Sequence, residues 1–469
     1  MNMIKPPSHE EMLATMDRRH ALLEASKLPG QWTSSMSQVI EELVSEFKDD
    51  YLIGLYCGRY SGGNENPDFK ELIRLARKKL KITDPAHGLG MHGVRMRATP
   101  YQWTEPERIP MRDWLYGRHL IRKFVSATVA PGAVGKSSLI IGEMLAMVSG
   151  LSLLGTETEQ LRVWYLNLED PYDEIMRRIQ AAAVHYGLTS EDLADRMFVD
   201  SGRDQPLVIA EMQDREATIC WPVVEALVAE IKDKAVDVLI IDPFVSCHKL
   251  PENDNNAIDM VVKEWGKVAD RADCAVELVH HVRKGDQQVT IESARGGGSF
   301  GDACRSGRVL NRMTEDEARK CGVENRRLYF SVMDDKANMA PPAEKREWFK
   351  LASIDLCNNP LGNGSGGDNV GVASKWEWPD PLDGITGGDF DRAAAAIRSG
   401  QWRANSQAKG WVGVPIAKAL NLSLSVKAEK AKVAGLIKIW LASGALVEVE
   451  KSDENRKMKK FIAVAGDDD

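Results

Sequence analysis

Eight residues, Ala130-Pro131-Gly132-Ala133-Val134-Gly135-Lys136-Ser137, stand between the apolar run FVSATVA (124–130) and the apolar stretch SSLIIGEMLAMV (137–148). A buried strand, a turn of small residues, and a helix opening on Lys-Ser together form the context of a phosphate-binding loop. Ala130 replaces the usual first glycine of the pattern. Small side chains let backbone N–H groups curl around phosphate oxygens, and the helix N-terminus adds favourable electrostatics. The pattern assigns Pro131, Gly132, Ala133, Val134, Gly135, Lys136, Ser137 and Ser138 to nucleotide binding. Lys136 is expected to reach the β- and γ-phosphates and the Ser137 hydroxyl to ligate Mg²⁺, so ATP and Mg²⁺ are the expected cofactors.

Further short apolar runs follow: LRVWYLNLE (161–169), VDVLIID (236–242) and CAVELVH (274–280). Helical stretches separate them: SSLIIGEMLAMV, DEIMRRIQAAAVHYG and MVVKEWGKVADRA. Strands alternating with crossover helices predict an α/β core, a mostly parallel sheet with helices on both faces. Ligands of such a sheet bind beyond the carboxyl ends of its strands. Asp242, ending VLIID, is therefore a candidate Mg²⁺ ligand, against the plainer reading of an Asp that closes a strand before Pro243. Glu169, 33 residues after Lys136, is the candidate general base, with Asp170 as its competitor and a helix-entry acid as the plain alternative. His280 and His281 end the fourth run, with Arg283 and Lys284 just beyond, and one histidine is expected to contact the γ-phosphate or its water. Metal binding by the histidine pair is not expected, because adjacent strand residues point to opposite faces.

The 469 residues carry 61 Lys and Arg against 69 Asp and Glu, a net charge of −8 that argues against a surface coating nucleic acid all round. Residues 401–460 reverse the balance, with 12 basic and 5 acidic side chains, so the C-terminal segment is the candidate DNA contact, against the plain reading of a solvated Lys-rich face. No stretch approaches the roughly 18 apolar residues of a membrane span. The start, MNMIKPPSHEEM, has no apolar core of a signal peptide, and seven single cysteines give neither a disulfide framework nor a zinc site. The expectation is a reduced, cytoplasmic protein with no membrane partner.

Residues 1–95 read as a helical region, with three-four apolar spacing at 36–47 and 69–82, and 96–117 as a Trp- and Pro-containing connector. The core is expected over 118–357, a Gly/Asn-rich loop or linker over 358–384, and a small domain over 385–469. In the last, GVPIAKALNL reads as a short helix ending at Asn421. VKAEKAKVAGLIKIWLASG reads as a longer helix with Val426, Val433, Ile437 and Trp440 on one face and Lys427, Lys430 and Lys438 elsewhere. ALVEVEK and MKKFIAV read as two strands. Helices followed by a basic hairpin resemble a winged helix, with Lys427, Lys430, Lys457 and Lys459 as candidate DNA contacts. Such modules also bind proteins.

The phosphate loop, YLNLEDP with DEIMRR, LIIDP, LVHHVRK and ARGGGSFGDACR resemble, in order and spacing, RecA-type ATPases. They are most similar to the RepA-type hexameric replicative helicases of plasmids and phages, over roughly residues 110–350. The resemblance implies a RecA core, a homo-oligomeric ring of six, and ATP bound between neighbours. It implies Glu169 as catalytic glutamate and His281, or alternatively His280, as the strand-end histidine. Counting from Arg295-Gly296 through Asp302 makes Arg305 the arginine finger, with Arg308 and the more weakly matched Lys336 as other trans-acting candidates. An arginine supplied across a subunit boundary stabilises charge on the transferring phosphoryl group, against the plain reading of a surface arginine. The long N-terminal region and the C-terminal unit depart from the compact members of that family. The expected function is a Mg²⁺-dependent, DNA-acting ring ATPase, a replicative helicase of a mobile element. The alternatives are an ATP-switched DNA-binding regulator or loader without unwinding and, from another class, a monomeric small-molecule phosphotransferase. Arg305 speaks against the last, since a monomer has no neighbour to receive it.

Overall fold

The computed structural model describes residues 98–466 except 194, 214, 283–287, 295–297, 342–344, 360–365 and 453–456, and also Val39, Ile40, Glu41, Leu43 and Ala76. The chain divides into two units, Met1–Ile109 and Pro110–Asp469. Val39, Ile40, Glu41, Leu43 and Ala76 are helical, within the two predicted helices, and all but Glu41 are buried. The rest of the helical region assigned to 1–95 lies outside the described residues, as do Arg283, Lys284, Arg295 and Gly296.

The four apolar runs form the strands β1 (Val125–Ala130), β2 (Val163–Asn167), β4 (Val238–Asp242) and β5 (Ala275–His281), with β3 (Met197–Ser201) added beyond β2. Continuing the sheet are β6 (Ser306–Arg312), β7 (Tyr329–Ala337), β8 (Glu347–Asp355) and β9 (Asn369–Trp376). The nine-stranded order is β9-β8-β7-β6-β1-β5-β4-β2-β3, parallel from β6 through β3 and antiparallel from β6 to β9. Strands β2 to β5 lie on one side of β1 and β6 on the other, so the strand order switches at β1, the place where such sheets open a ligand crevice.

Helices α1 (Lys136–Ser149) and α2 (Tyr172–Tyr186) cover one face. Helices α3 (Trp221–Asp233), α4 (Asn255–Ala272) and the short α5 (Gly298–Ala303) cover the other. Alternate strand residues divide between the two cores: Trp164, Leu166, Leu239 and Ile241 pack toward α3 and α4, whereas Val163, Tyr165, Val238 and Ile240 pack toward α1 and α2.

On the α1 side β1 presents Ser126 and Thr128, both fully buried, so its alternation is not that of a strand half open to water. Glu277 lies with one carboxylate oxygen 2.9 Å from His119 Nε2, and His119 Nδ1 lies 2.9 Å from Ser306 Oγ. Thr128 Oγ1 donates to the other Glu277 oxygen and accepts from Arg308 Nε at 2.8 Å. Both terminal nitrogens of Arg308 donate to the two carboxylate oxygens of Glu143 in α1. Burial works to raise the Glu277 carboxyl, but His119, Arg308 and Thr128 together hold it below its ordinary range.

Arg308, taken as a second trans-acting arginine, is only 5% exposed and committed at both ends of its fork to Glu143, so it is not available to a neighbour. Arg308→Ala would strand the Glu143 carboxylate in the interior and take one of three supports from Glu277. A loss of about 3–5 kcal/mol in unfolding free energy is expected, measured by urea titration, because breaking a buried pair leaves an uncompensated charge.

The stretch assigned to the linker contains β9, which pairs along its whole length with β8. Its Gly/Asn-rich approach disguises a strand whose core contacts, Val372 and Ala373, exist only once β8 is beside it. Between β6 and β7 lies α6 (Glu315–Cys321), and beyond β9 come α7 (Gly387–Arg398), β10 (Trp402–Arg403), α8 (Gly413–Ala419), α9 (Lys427–Ala442), β11 (Leu446–Ser452) and β12 (Met458–Val464). The three C-terminal strands form a sheet of order β10-β12-β11 over a core that includes Ala393, Ile397, Ile416, Val433, Leu436, Ile437 and Trp440. Helix α7 and strand β10 escaped the sequence reading because the apolar face of GGDFDRAAAAIR consists mostly of alanine. Val426, assigned to the apolar face of the long helix, caps it and is 46% exposed.

Helix α9 has a third face. A Cβ on Gly322, at the C-cap of α6, would lie 2.3 Å from Ala428 Cα, and one on Gly435 would lie 2.4 Å from Pro381 Cγ. The glycines thus allow α9 to abut α6 and the 379–383 segment at backbone distance.

Candidate active site

The carboxyl ends of β1, β2, β4 and β5 converge. Gly135 caps α1 with φ of +108°, and a Cβ there would come within 2.9 Å of Phe330 in β7 and 3.2 Å of Leu351 in β8, so both conformation and space demand glycine. Lys136 and Ser137 begin α1 directly after the turn, and Ala133 adopts a left-handed φ of +56°.

Lys136 is 6% exposed and donates from Nζ to Asp242 Oδ1 at 3.1 Å, while Ser137 Oγ donates to Asp242 Oδ2 at 3.0 Å. Tyr165 donates its hydroxyl to the same Oδ2 at 3.0 Å and accepts from Asn167 Nδ2 at 3.0 Å. Burial pushes the Asp242 carboxyl up, but Lys136 with the Tyr165 and Ser137 hydroxyls more than offsets this, and Asp242 is held below the ordinary carboxylate range. Burial and the Asp242 charge push the Tyr165 phenol well up, so it stays a neutral donor. Tyr165 and Asn167 were not singled out in the sequence. Their alternation behind Glu169 in YLNLE is the only trace they leave there.

The strand-end histidines separate as a strand requires. His281 Nε2 lies 3.4 Å from Lys136 Nζ. His280 faces the opposite side, 1% exposed, with its ring 4.8 Å from that of Phe300 and 5.3 Å from that of Phe244. Only His281 joins the cluster.

Just past β2, Asn167 Oδ1 accepts from the backbone N–H groups of Glu169 and Asp170 at 3.0 and 2.8 Å, fixing the turn that presents both acids. Asp170 pairs with Arg178 at 2.9 Å. Glu169 is exposed, and among the described residues its carboxylate has no hydrogen bond or ion pair, its backbone oxygen alone accepting from Arg203. Of the two neighbours, Glu169 is the one left open to a substrate or water.

Arg305 lies elsewhere. It precedes β6 and donates its backbone N–H to Val125, the first residue of β1, so it sits at the opposite edge of the sheet from its own loop. Five strand residues separate the edges, about 16 Å at the usual rise. Its side chain is exposed and without a partner among the described residues. Lys336 lies at that same edge, opposite Gly307, and donates to the Gly301 and Asp302 carbonyls at 2.9 and 3.0 Å within its own chain. At the loop edge of β6 the structure places Arg312, which the sequence did not single out; it donates to Gly132 O at 2.7 Å and Ala133 O at 2.9 Å.

The donor set suits a small, hard cation. Ser137 Oγ and Asp242 Oδ2 are hydrogen-bonded to one another, both oxygens, one charged and held ionised beside a cradle of N–H groups. In the C-terminal unit Lys427, Lys430, Ala434 and Lys438 are exposed and line up along one face of α9, while Lys457 and Lys459 are exposed near the β11–β12 turn.

Residues 94–287 match the family model of an AAA domain, a segment that takes in the phosphate loop, Glu169, Asp242 and His281. This segment is an ATPase-type, nucleotide-binding P-loop domain. A search of curated proteins finds no significant match. Among solved structures, the chain is similar to the crystal structure of the RadB recombinase, with 15% identity and a TM-score of 0.33, over 49% of this chain and 88% of that one. Among the described residues no helix is long and apolar enough to cross a membrane.

Proposed function

We propose that this protein hydrolyses ATP with Mg²⁺ in a hexameric ring of identical subunits, and that it uses the cycle to act on DNA as a replicative helicase of the kind mobile elements carry. The observation that carries the reading is the buried Lys136–Asp242–Ser137 cluster with His281 at its rim and Glu169 open beside it. In it Lys136 meets the phosphates, Ser137 and Asp242 hold the cation, and the Glu169 carboxylate orients and deprotonates the attacking water. The cation, when bound, neutralises charge on the phosphate oxygens. His281, touching Lys136, reports whether a γ-phosphate is present.

The separation of Arg305 from its own loop, at the other end of β1, supports a role in trans, since its side chain stands away from its own phosphate loop. The Lys427, Lys430, Lys438, Lys457 and Lys459 surface supports contacts to DNA phosphates, which carry affinity but little sequence information. The order helix-strand-helix-helix-strand-strand from α7 to β12 supports a winged-helix reading of that unit, with α9 the helix offered to a groove. One observation favours the second reading, an ATP-switched loader without unwinding: α9 abuts α6 at Gly322, tying the DNA-facing helix to the motor.

The test is the ATPase rate of the full chain with increasing single-stranded DNA, alongside its assembly state and strand separation on a forked duplex in the same buffer. Stimulation with a ring-sized assembly and separated strands is expected. A rate indifferent to DNA would remove the motor reading, and stimulation without separation would select the loader.

A further inference from the structure

Arg312 is the last residue of β6 and one strand away from the loop that ends β1. It is exposed, and among the described residues it forms no ion pair. Its Nη2 is instead shared between the carbonyls of Gly132 and Ala133. These two carbonyls flank the Cα of Ala133, whose left-handed φ is unfavourable for a residue with a Cβ. In a trans peptide the carbonyl of one residue and the N–H of the next point in opposite directions. Fixing Gly132 O therefore fixes the Ala133 N–H, and fixing Ala133 O fixes the Val134 N–H, both directed away from Arg312. Those are two of the amides on which a phosphate loop relies to cradle an anion.

We infer that Arg312 is a positioning residue for nucleotide binding: by holding the Gly132 and Ala133 carbonyls from outside, it keeps the loop in the form whose N–H groups receive phosphate. The inference rests on the ATP-site reading above and adds to it a residue that touches no substrate. It acts on affinity more than on turnover, because the loop is set before the phosphates arrive.

The test is binding of N-methylanthraniloyl-ADP with Mg²⁺, at low and high salt, to the full chain and to Arg312→Ala, Arg312→Lys and Lys136→Ala, with steady-state ATPase on each. Arg312→Ala is expected to raise Kd and KM about tenfold, the worth of one charge-assisted hydrogen bond, with kcat within about a factor of two. Arg312→Lys, which keeps donors and charge at nearly the same reach, is expected to restore most of the affinity. The deficit of the alanine variant should persist at high salt. Unchanged Kd in Arg312→Ala, a collapse of kcat at unchanged Kd, or a deficit that vanishes with salt would each overturn the assignment. The last two would mean that the guanidinium acts on the phosphoryl group or as a distant charge. A wild-type chain that does not bind the probe would instead overturn the ATP site itself, whereas probe binding lost in Lys136→Ala but intact in Arg312→Ala overturns the role of Arg312 alone.

Discussion

Lys136→Ala leaves ATP hydrolysis at background and weakens nucleotide binding on the order of 10- to 100-fold, the range expected when a charge-assisted contact to phosphate is removed. Two losses combine. The loop loses the ammonium that meets the phosphates, and Asp242, 3% exposed, loses the cation that keeps it below the ordinary carboxylate range against its burial. Its carboxyl then rises toward neutrality, and a protonated Asp242 is a poor partner for a cation. Because a buried carboxylate is left with only the Ser137 and Tyr165 hydroxyls, thermal unfolding of the variant must be followed alongside binding. Lys136→Arg, which keeps a cation at Asp242 but misplaces it, separates the two losses: it is expected to fold normally and still not turn over. Wild-type hydrolysis by folded Lys136→Ala would sink the nucleotide reading.

Glu169→Gln is the second large effect. Turnover falls by about 10²- to 10⁴-fold while binding and assembly persist, since the amide keeps the shape and cannot accept the proton of the attacking water. The structure sharpens the contrast with Asp170, whose carboxylate pairs with Arg178. Asp170→Asn is expected to cost far less in rate. A dead Asp170→Asn beside a live Glu169→Gln would reverse the assignment. The same variant tests Arg305. Glu169→Gln and Arg305→Ala are each expected to be severely impaired alone; if each site combines the base of one subunit with the finger of the next, a mixed ring would hold sites with both intact. A finger is worth roughly 10³ or more in rate, so even few restored sites rise above background. If both variants assemble and exchange subunits, no recovery at any ratio would exclude Arg305, and Lys336 at the same edge would be next.

The site was legible in the sequence where chemistry is local. The loop pattern and the rule that ligands gather past strand ends singled out Lys136, Ser137, Asp242, Glu169 and His281 as candidates, and the structure brings four of these together in one cluster with Glu169 beside it. Residues whose meaning depends on distant partners were not legible. Arg308 reads as a second trans-acting candidate until Glu143, 165 positions away, folds onto it. Ser126 and Thr128 carry no sign in the sequence of their buried partners, the His119 carbonyl for one and Glu277 with Arg308 for the other. Arg312 carries no motif, since all it does is contact main-chain carbonyls 180 positions upstream. Of the six parallel strands, β1, β2, β4 and β5 were readable from apolar runs, whereas β3 and β6, and the antiparallel β7, β8 and β9, gave no comparable signal.

The four-residue interval between Arg308 and Arg312 has a consequence for how a ligand enters. Positions four apart on a strand share a face, so β6 grips a single rod of loop and helix at two points: Glu143, two turns inside α1, and the carbonyls at the tip of the turn before it. A rod seized twice cannot pivot about either grip. The turn therefore has no independent swing by which to close over an arriving anion; it can move only if α1 and β6 move with it. Much of the ordering entropy that a floppy loop would surrender on meeting its ligand has already been given up when the chain folds, and the mould precedes the cast.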